Sequence, residues 1–141
     1  LDTRSAFFDD SEAVMGWEFD DQGFEIVLAS DVPVYAAGPV CEGVKAFLKE
    51  HGLKPSDIDH WLAHPGGPKV MQALEDGLGI APALDASRRS LAEVGNISSV
   101  SVLCILDELL RSGRPQPGDW GVLMAMGPAF CAEMVLLRWQ S

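Results

Sequence analysis

At 141 residues the chain is sized for one domain with a single core, burying roughly two-thirds of its unfolded surface. Ten Lys and Arg against 21 Asp and Glu give a net charge of -11, which repels nucleic-acid phosphates and anionic membrane surfaces and excludes both as expected partners. The longest apolar runs, such as Trp120 to Met126, fall far short of the roughly 20 residues that cross a bilayer. Cys41, Cys104 and Cys131 are odd in number and widely spaced, with no His at zinc-ligand spacing, so no metal is expected and a reducing, cytoplasmic setting fits best. Leu1 to Ala6 lacks a basic segment followed by an apolar one, so it does not read as a signal peptide; the chain reads as starting at a cut end.

In chain order, Val14 to Phe19 and Phe24 to Ala29 read as strands joined by the turn Asp20-Asp21-Gln22-Gly23. From Val34 to His51 the apolar residues Val40, Val44, Phe47 and Leu48 recur at helical spacing, and Gly52 supplies the stop. Ile58 to Ala63 is a short strand-like run. Pro68 then stands at a first helical position ahead of Val70, Met71, Leu74 and Leu78. Ala86 to Val94 predicts a further helix closed by Gly95, and Ile97 to Leu110 is apolar on nearly every side, as a fully buried helix would be. Trp120 to Met126 and Ala132 to Trp139 close the chain as strands. The alternation implies an α/β fold, a sheet layered with helices.

Two short segments carry the chemistry. His64 ends a strand and opens the turn Pro65-Gly66-Gly67, where a side chain projects from the carboxyl edge of a sheet and the glycines let a ligand approach the backbone. A lone His beside Pro also reads as a turn histidine satisfied by a backbone carbonyl. Asn96, after Gly95, reads by default as a helix N-cap accepting the N–H of Ser98 or Ser99, while a catalytic role needs its amide donors aimed at a reacting oxygen. His60 lacks the glycine context and is expected to face the other side or solvent; His51 reads as a helix C-terminal residue favoured by the dipole. Cys104 reads as core.

From about Val14 to Trp139 the chain resembles the C-terminal domain of type III polyketide synthases, the chalcone and stilbene synthase-like family. The resemblance is carried by Asp31-Val32-Pro33, His64-Pro65-Gly66-Gly67-Pro68, Gly95-Asn96-Ile97-Ser98-Ser99 with Ile105-Leu106-Asp107-Glu108, and Trp120-Gly121-Val122-Leu123 running into Gly127-Pro128. It implies a thiolase-like layered α-β-α-β-α architecture, of which residues 1–141 would be the C-terminal half with a mixed five-stranded sheet. It also implies a nucleophilic Cys in an N-terminal half that this chain does not carry; none of Cys41, Cys104 and Cys131 matches that position.

The resemblance further implies that His64 and Asn96 assist that Cys in decarboxylative condensation of malonyl-CoA onto an acyl-CoA starter. Gly66, Gly67, Pro68, Lys69 and Ser98 would meet the CoA substrate, and Trp17, Ile26, Met126, Gly127, Pro128, Ala129 and Phe130 would line the cavity. Ile26 stands where plant enzymes have a gatekeeper Phe, and their Gly-Phe-Gly-Pro-Gly loop becomes Ala125-Met126-Gly127-Pro128-Ala129, closer to the bacterial branch. The expected partners are the N-terminal half and a second copy in a homodimer, with no cofactor, and the chain alone is expected to be inactive. A ketoacyl carrier-protein synthase III-like enzyme and a non-catalytic pairing or scaffold domain are the alternatives. The Pro65-Gly66-Gly67 turn speaks against the first and retention of both His64 and Asn96 against the second.

Overall fold

The structure, a computed structural model, describes residues 1–140. Along it run β1 (Asp2–Phe7), β2 (Met15–Asp20), β3 (Gly23–Leu28), α1 (Val32–Tyr35), α2 (Cys41–Glu50), β4 (His60–Ala63), α3 (Pro68–Leu78), α4 (Asp85–Val94), α5 (Val100–Arg111), β5 (Trp120–Gly127) and β6 (Cys131–Arg138). The main sheet has the order β1-β6-β5-β4, with β4 parallel to β5 and the other pairs antiparallel. It is therefore mixed, as expected, but four-stranded rather than five-stranded. The hairpin β2-β3 forms a separate two-stranded sheet in the register Trp17↔Ile26. The strand β1 takes a place in the main sheet that its polar sequence does not announce.

Strand alternation gives the main sheet two apolar faces. Trp61 and Ala63 of β4, Val122 and Met124 of β5, and Met134 and Leu136 of β6 enter the larger core, where Val40, Val44, Phe47 and Leu48 from the first helical segment and Met71, Leu74 and Leu78 from α3 cover them. Leu62 turns to the other face, where with Ile105 and Leu109 of α5 it forms a smaller cluster flanked by Leu123 and Leu137.

The helix predicted over Val34 to His51 is present but starts at Val32, and a π-helical turn over Ala36–Val40 divides α1 from α2. Pro39 lies inside that turn and has no N–H to give to a regular helical ladder. The α3 helix crosses at the same place. A Cβ on Gly77 would lie 2.6 Å from Cys41 Sγ and 2.7 Å from Ala37 O, so only glycine allows this approach. Across the contact, Lys45 Nζ donates to Gly77 O at 2.6 Å.

Two expectations about α5 need correction. It is not buried on all sides: Ile105 is fully buried, but Val100 is 50% exposed, Leu103 57% and Leu110 56%. Cys104 is exposed rather than core. The helix lies on the sheet along one stripe, and no described element covers its opposite side. Among the described residues, no helix is long and apolar enough to cross a membrane.

Candidate functional site

The parallel strand β4 delivers His64 to the carboxyl end of the sheet. Its backbone N–H donates to Met124 O of β5 at 2.8 Å, and its C=O accepts from the Gly66 N–H at 2.9 Å, which starts the turn. Gly67 then takes φ +150 and ψ 161 as the N-cap of α3, a conformation open essentially to glycine alone, and Pro68 supplies the first helical turn. The His64 side chain is half-buried. Burial lowers its pKa below the usual histidine value, and no hydrogen bond to a described residue opposes that shift. Burial thus favours the neutral imidazole.

Asn96 stands on the second turn. The α4 helix ends when Gly95 takes φ 75 with ψ -169. Asn96 Oδ1 accepts the Ser98 N–H at 3.0 Å, and Ser101 Oγ accepts the Ile97 N–H at 3.0 Å. The expected Ser98 bond is therefore present, but it closes an Asx turn ahead of the helix. The N-cap of α5 is Ser99, which corrects the cap assignment. Ser98 itself is left-handed, at φ 61. The bond uses the Asn96 oxygen, so both amide N–H donors are free of described partners.

Gly66 and Gly67 follow His64 on the same turn, Pro68 and Lys69 open α3, and Ser98 follows Asn96 on the other turn. Trp17 and Ile26 are cross-strand partners on the hairpin, 49% and 56% exposed. Met126, Gly127, Pro128 and Ala129 belong to the end of β5 and the turn after it, which the Ala129 N–H ties to the hairpin through Met15 O at 2.8 Å. Phe130, by contrast, is fully buried, its ring 5.6 Å from Phe8 and 5.0 Å from Tyr35. Two surface cavities contain none of these residues. One, of about 160 Å³, lies at the opposite end of β4 beside Asp59, His60, Asp85 and Arg114; the other lies between α5 and the end of β6.

The other titratable candidates have structural partners. His60 is not turned to solvent: its Nε2 lies 2.8 Å from Asp119 Oδ2 and its ring packs edge-on to Trp139. The Gln116 N–H, with His60 beside it, holds the Asp119 carboxyl below the usual range. His51 caps α2 and reaches Asp2 Oδ2 at 2.9 Å. Cys41 is buried, its Sγ 2.9 Å from Ala36 O, and burial pushes its thiol up to about 11, so it is protonated and unreactive at neutral pH. No cluster of three or more His, Cys, Asp or Glu able to hold a metal occurs among the described residues.

Sequence reasoning missed two buried polar groups. Ser87 Oγ donates to Ala63 O at 2.7 Å. Glu75, 2% exposed, accepts the Leu84 N–H at 2.9 Å and pairs with Arg88. Only their polarity on the inward faces of amphipathic helices could have flagged them.

A mixed sheet with helices on both faces defines the class: the thiolase-like fold of the type III polyketide synthases. The crystal structure of 1,3,6,8-tetrahydroxynaphthalene synthase from Streptomyces coelicolor A3(2), a bacterial type III polyketide synthase, superposes with a TM-score of 0.93 at 33% identity, over 99% of this chain and 40% of that one. PKS-I from the brown alga Ectocarpus siliculosus superposes at 0.90 with 28% identity, over 98% of this chain and 38% of that one. The family of chalcone and stilbene synthases, C-terminal domain, matches residues 2–140, and the chain belongs to it.

In sequence, the chain is 49% identical to 1,3,6,8-tetrahydroxynaphthalene synthase of Streptomyces peucetius subsp. caesius, over 97% of this chain and 37% of that protein. It is 36% identical to the putative chalcone synthase of Bacillus subtilis (strain 168), over 99% of this chain and 39% of that protein. It thus spans about two-fifths of the length of these relatives.

Proposed function

We propose that this chain forms the C-terminal half of a type III polyketide synthase, in which His64 and Asn96 assist a cysteine nucleophile carried by an N-terminal half. The observations that carry the reading are a half-buried imidazole and an amide whose donors are unused, each on a glycine turn, within a chain of this family. A neutral imidazole takes the proton of an adjacent thiol, and the imidazolium and thiolate then stabilise each other. The thiolate accepts the acyl group from an acyl-CoA and releases CoA thiol. Decarboxylation of malonyl-CoA next builds negative charge on a thioester oxygen, where donors from His64 and Asn96 stabilise the enolate. That enolate attacks the acyl-Cys carbonyl, and the thiolate leaves.

In this reading Gly66, Gly67, Pro68, Lys69 and Ser98 meet the CoA substrate, while Trp17, Ile26 and the Met126-to-Phe130 segment shape the cavity. The open side of α5 and the hairpin residues Phe19, Phe24 and Leu28, all exposed, suit a covering N-terminal half and a homodimer. The chain alone is inactive and, assembled, works in the cytoplasm without a cofactor.

The test is to join the chain to the N-terminal half of its Streptomyces peucetius relative and follow malonyl-CoA consumption and product release. Asn96→Ser, which keeps the turn acceptor but deletes the amide donors, should slow decarboxylation on the order of a hundredfold. Full activity of that variant, or malonyl-CoA consumption by the purified chain alone, overturns the reading.

A further inference from the structure

We propose that Ser87 is a positioning residue for this site: its hydroxyl ties the His64 turn to the helix that ends two residues before Asn96, and so holds the two side chains in one relative placement. The inference rests on the His64 and Asn96 reading above and assigns how that pair is kept in register.

The peptide joining Ala63 to His64 is held on both sides. A trans peptide points its N–H and C=O in opposite directions. The N–H of His64 goes inward to Met124 O of β5 at 2.8 Å, so the Ala63 C=O faces outward. Because β4 is an edge strand, no neighbouring strand waits there to pair with it. Ser87 Oγ, fully buried, donates to that carbonyl at 2.7 Å. The plane of the peptide leading into His64 is thereby fixed by two elements, and with it the direction in which the imidazole leaves the backbone.

The second element is α4, and its far end matters. Ser87 lies in its first turn, and the helix runs to Val94, two residues before Asn96. A serine inside a helix usually turns its hydroxyl to solvent or to a carbonyl one turn back. This one leaves its own helix to reach β4. A second buried tether fixes the same end: Glu75 of α3 accepts the Leu84 N–H, at the N-cap of α4, and pairs with Arg88. Since α3 itself begins four residues after His64, α4 is bound to the elements on both sides of the His64 turn, and the Asn96 turn rides on it.

The test compares Ser87→Thr, which keeps the hydroxyl, with Ser87→Val, which has nearly the same shape without it. In the enzyme assembled with the N-terminal half, Ser87→Val should lower kcat on the order of tenfold to a hundredfold with KM unchanged, and Ser87→Thr should restore it. In the chain as it stands, NMR should show the His64 ring and Asn96 amide resonances displaced by Ser87→Val and returned by Ser87→Thr, with His51 unmoved. Equal kcat in the two variants per folded molecule, or undisplaced His64 and Asn96 resonances, overturns the proposal. If the His64 and Asn96 variants themselves retain activity, the catalytic reading fails, and the NMR comparison still decides whether Ser87 sets their placement.

Discussion

The two faces of the main sheet are built from the same kinds of residue and finished to different degrees. One face is sealed: Phe47, Leu48, Leu74 and Met124, where α2 and α3 cover the sheet, are each at most 1% exposed. The other rests mainly on α5, with Ala86 of α4 beside it; Ile105 of α5 is fully buried while Leu103, two residues earlier, is 57% exposed. The difference shows that a helix apolar all round states how much surface must be covered and leaves open by what. The sealed face accounts for the chain's own cohesion, and the half-clad face is a surface with capacity for a further layer.

The largest test of this contrast is a pair of truncations measured by urea denaturation. Phe47→Ala on the sealed face should cost about 3–5 kcal/mol, because its rigid surroundings cannot collapse into the void. Ile105→Ala should fall near 2 kcal/mol, since α5 can settle toward the sheet on its open side. Equal losses would break the comparison. Next in size, Gly77→Ala forces a methyl against Cys41 Sγ and the Ala37 carbonyl and should destabilise by about 1–3 kcal/mol.

A smaller effect is expected with pH. Burial lowers the folded-state pKa of His64 below its unfolded value, so the unfolded chain binds the proton more readily. The contribution is fully present above the ordinary histidine range and is lost as pH falls through the lowered value. The midpoint of thermal unfolding should therefore drop as pH falls through and below the ordinary histidine range, and His64→Gln should flatten that slope. Below it, loss of the Asp119 carboxylate, whose pKa is also lowered, should destabilise further as pH falls through the acid range, a step His64→Gln leaves in place. The smallest change sharpens the contrast from the other side. Leu103→Lys on the open face of α5 should move stability by no more than about 0.5 kcal/mol in the chain alone.

Much of this was legible from the sequence, for local reasons. Pro68 and Gly95 mark where α3 begins and α4 ends, and Asp20-Asp21-Gln22-Gly23 marks the hairpin turn, because these residues act through their own backbone. His64 and Asn96 stand out for the same cause, each being next to glycines that shape its turn. What stayed hidden depends on distant partners. The polar strand β1 earns its place only by pairing with β6, and His60 meets Asp119 across 59 residues. The Asx turn at Asn96 displaced the expected cap because Ser99, not Asn96, leads into the helix. Ser87 and Glu75 show only as polar residues on inward helix faces; their meaning appears once α4 lies against β4 and α3.

Two of the three thiols make the chain its own recorder of breathing. Cys104 is open to an alkylating reagent from the start, whereas Cys41 is enclosed where α3 crosses the π-helical turn and is held protonated, pushed up to about 11. A reagent can modify Cys41 only in molecules that have parted α3 from that turn, so the slow arrival of its mass increment counts openings of the sealed face one molecule at a time.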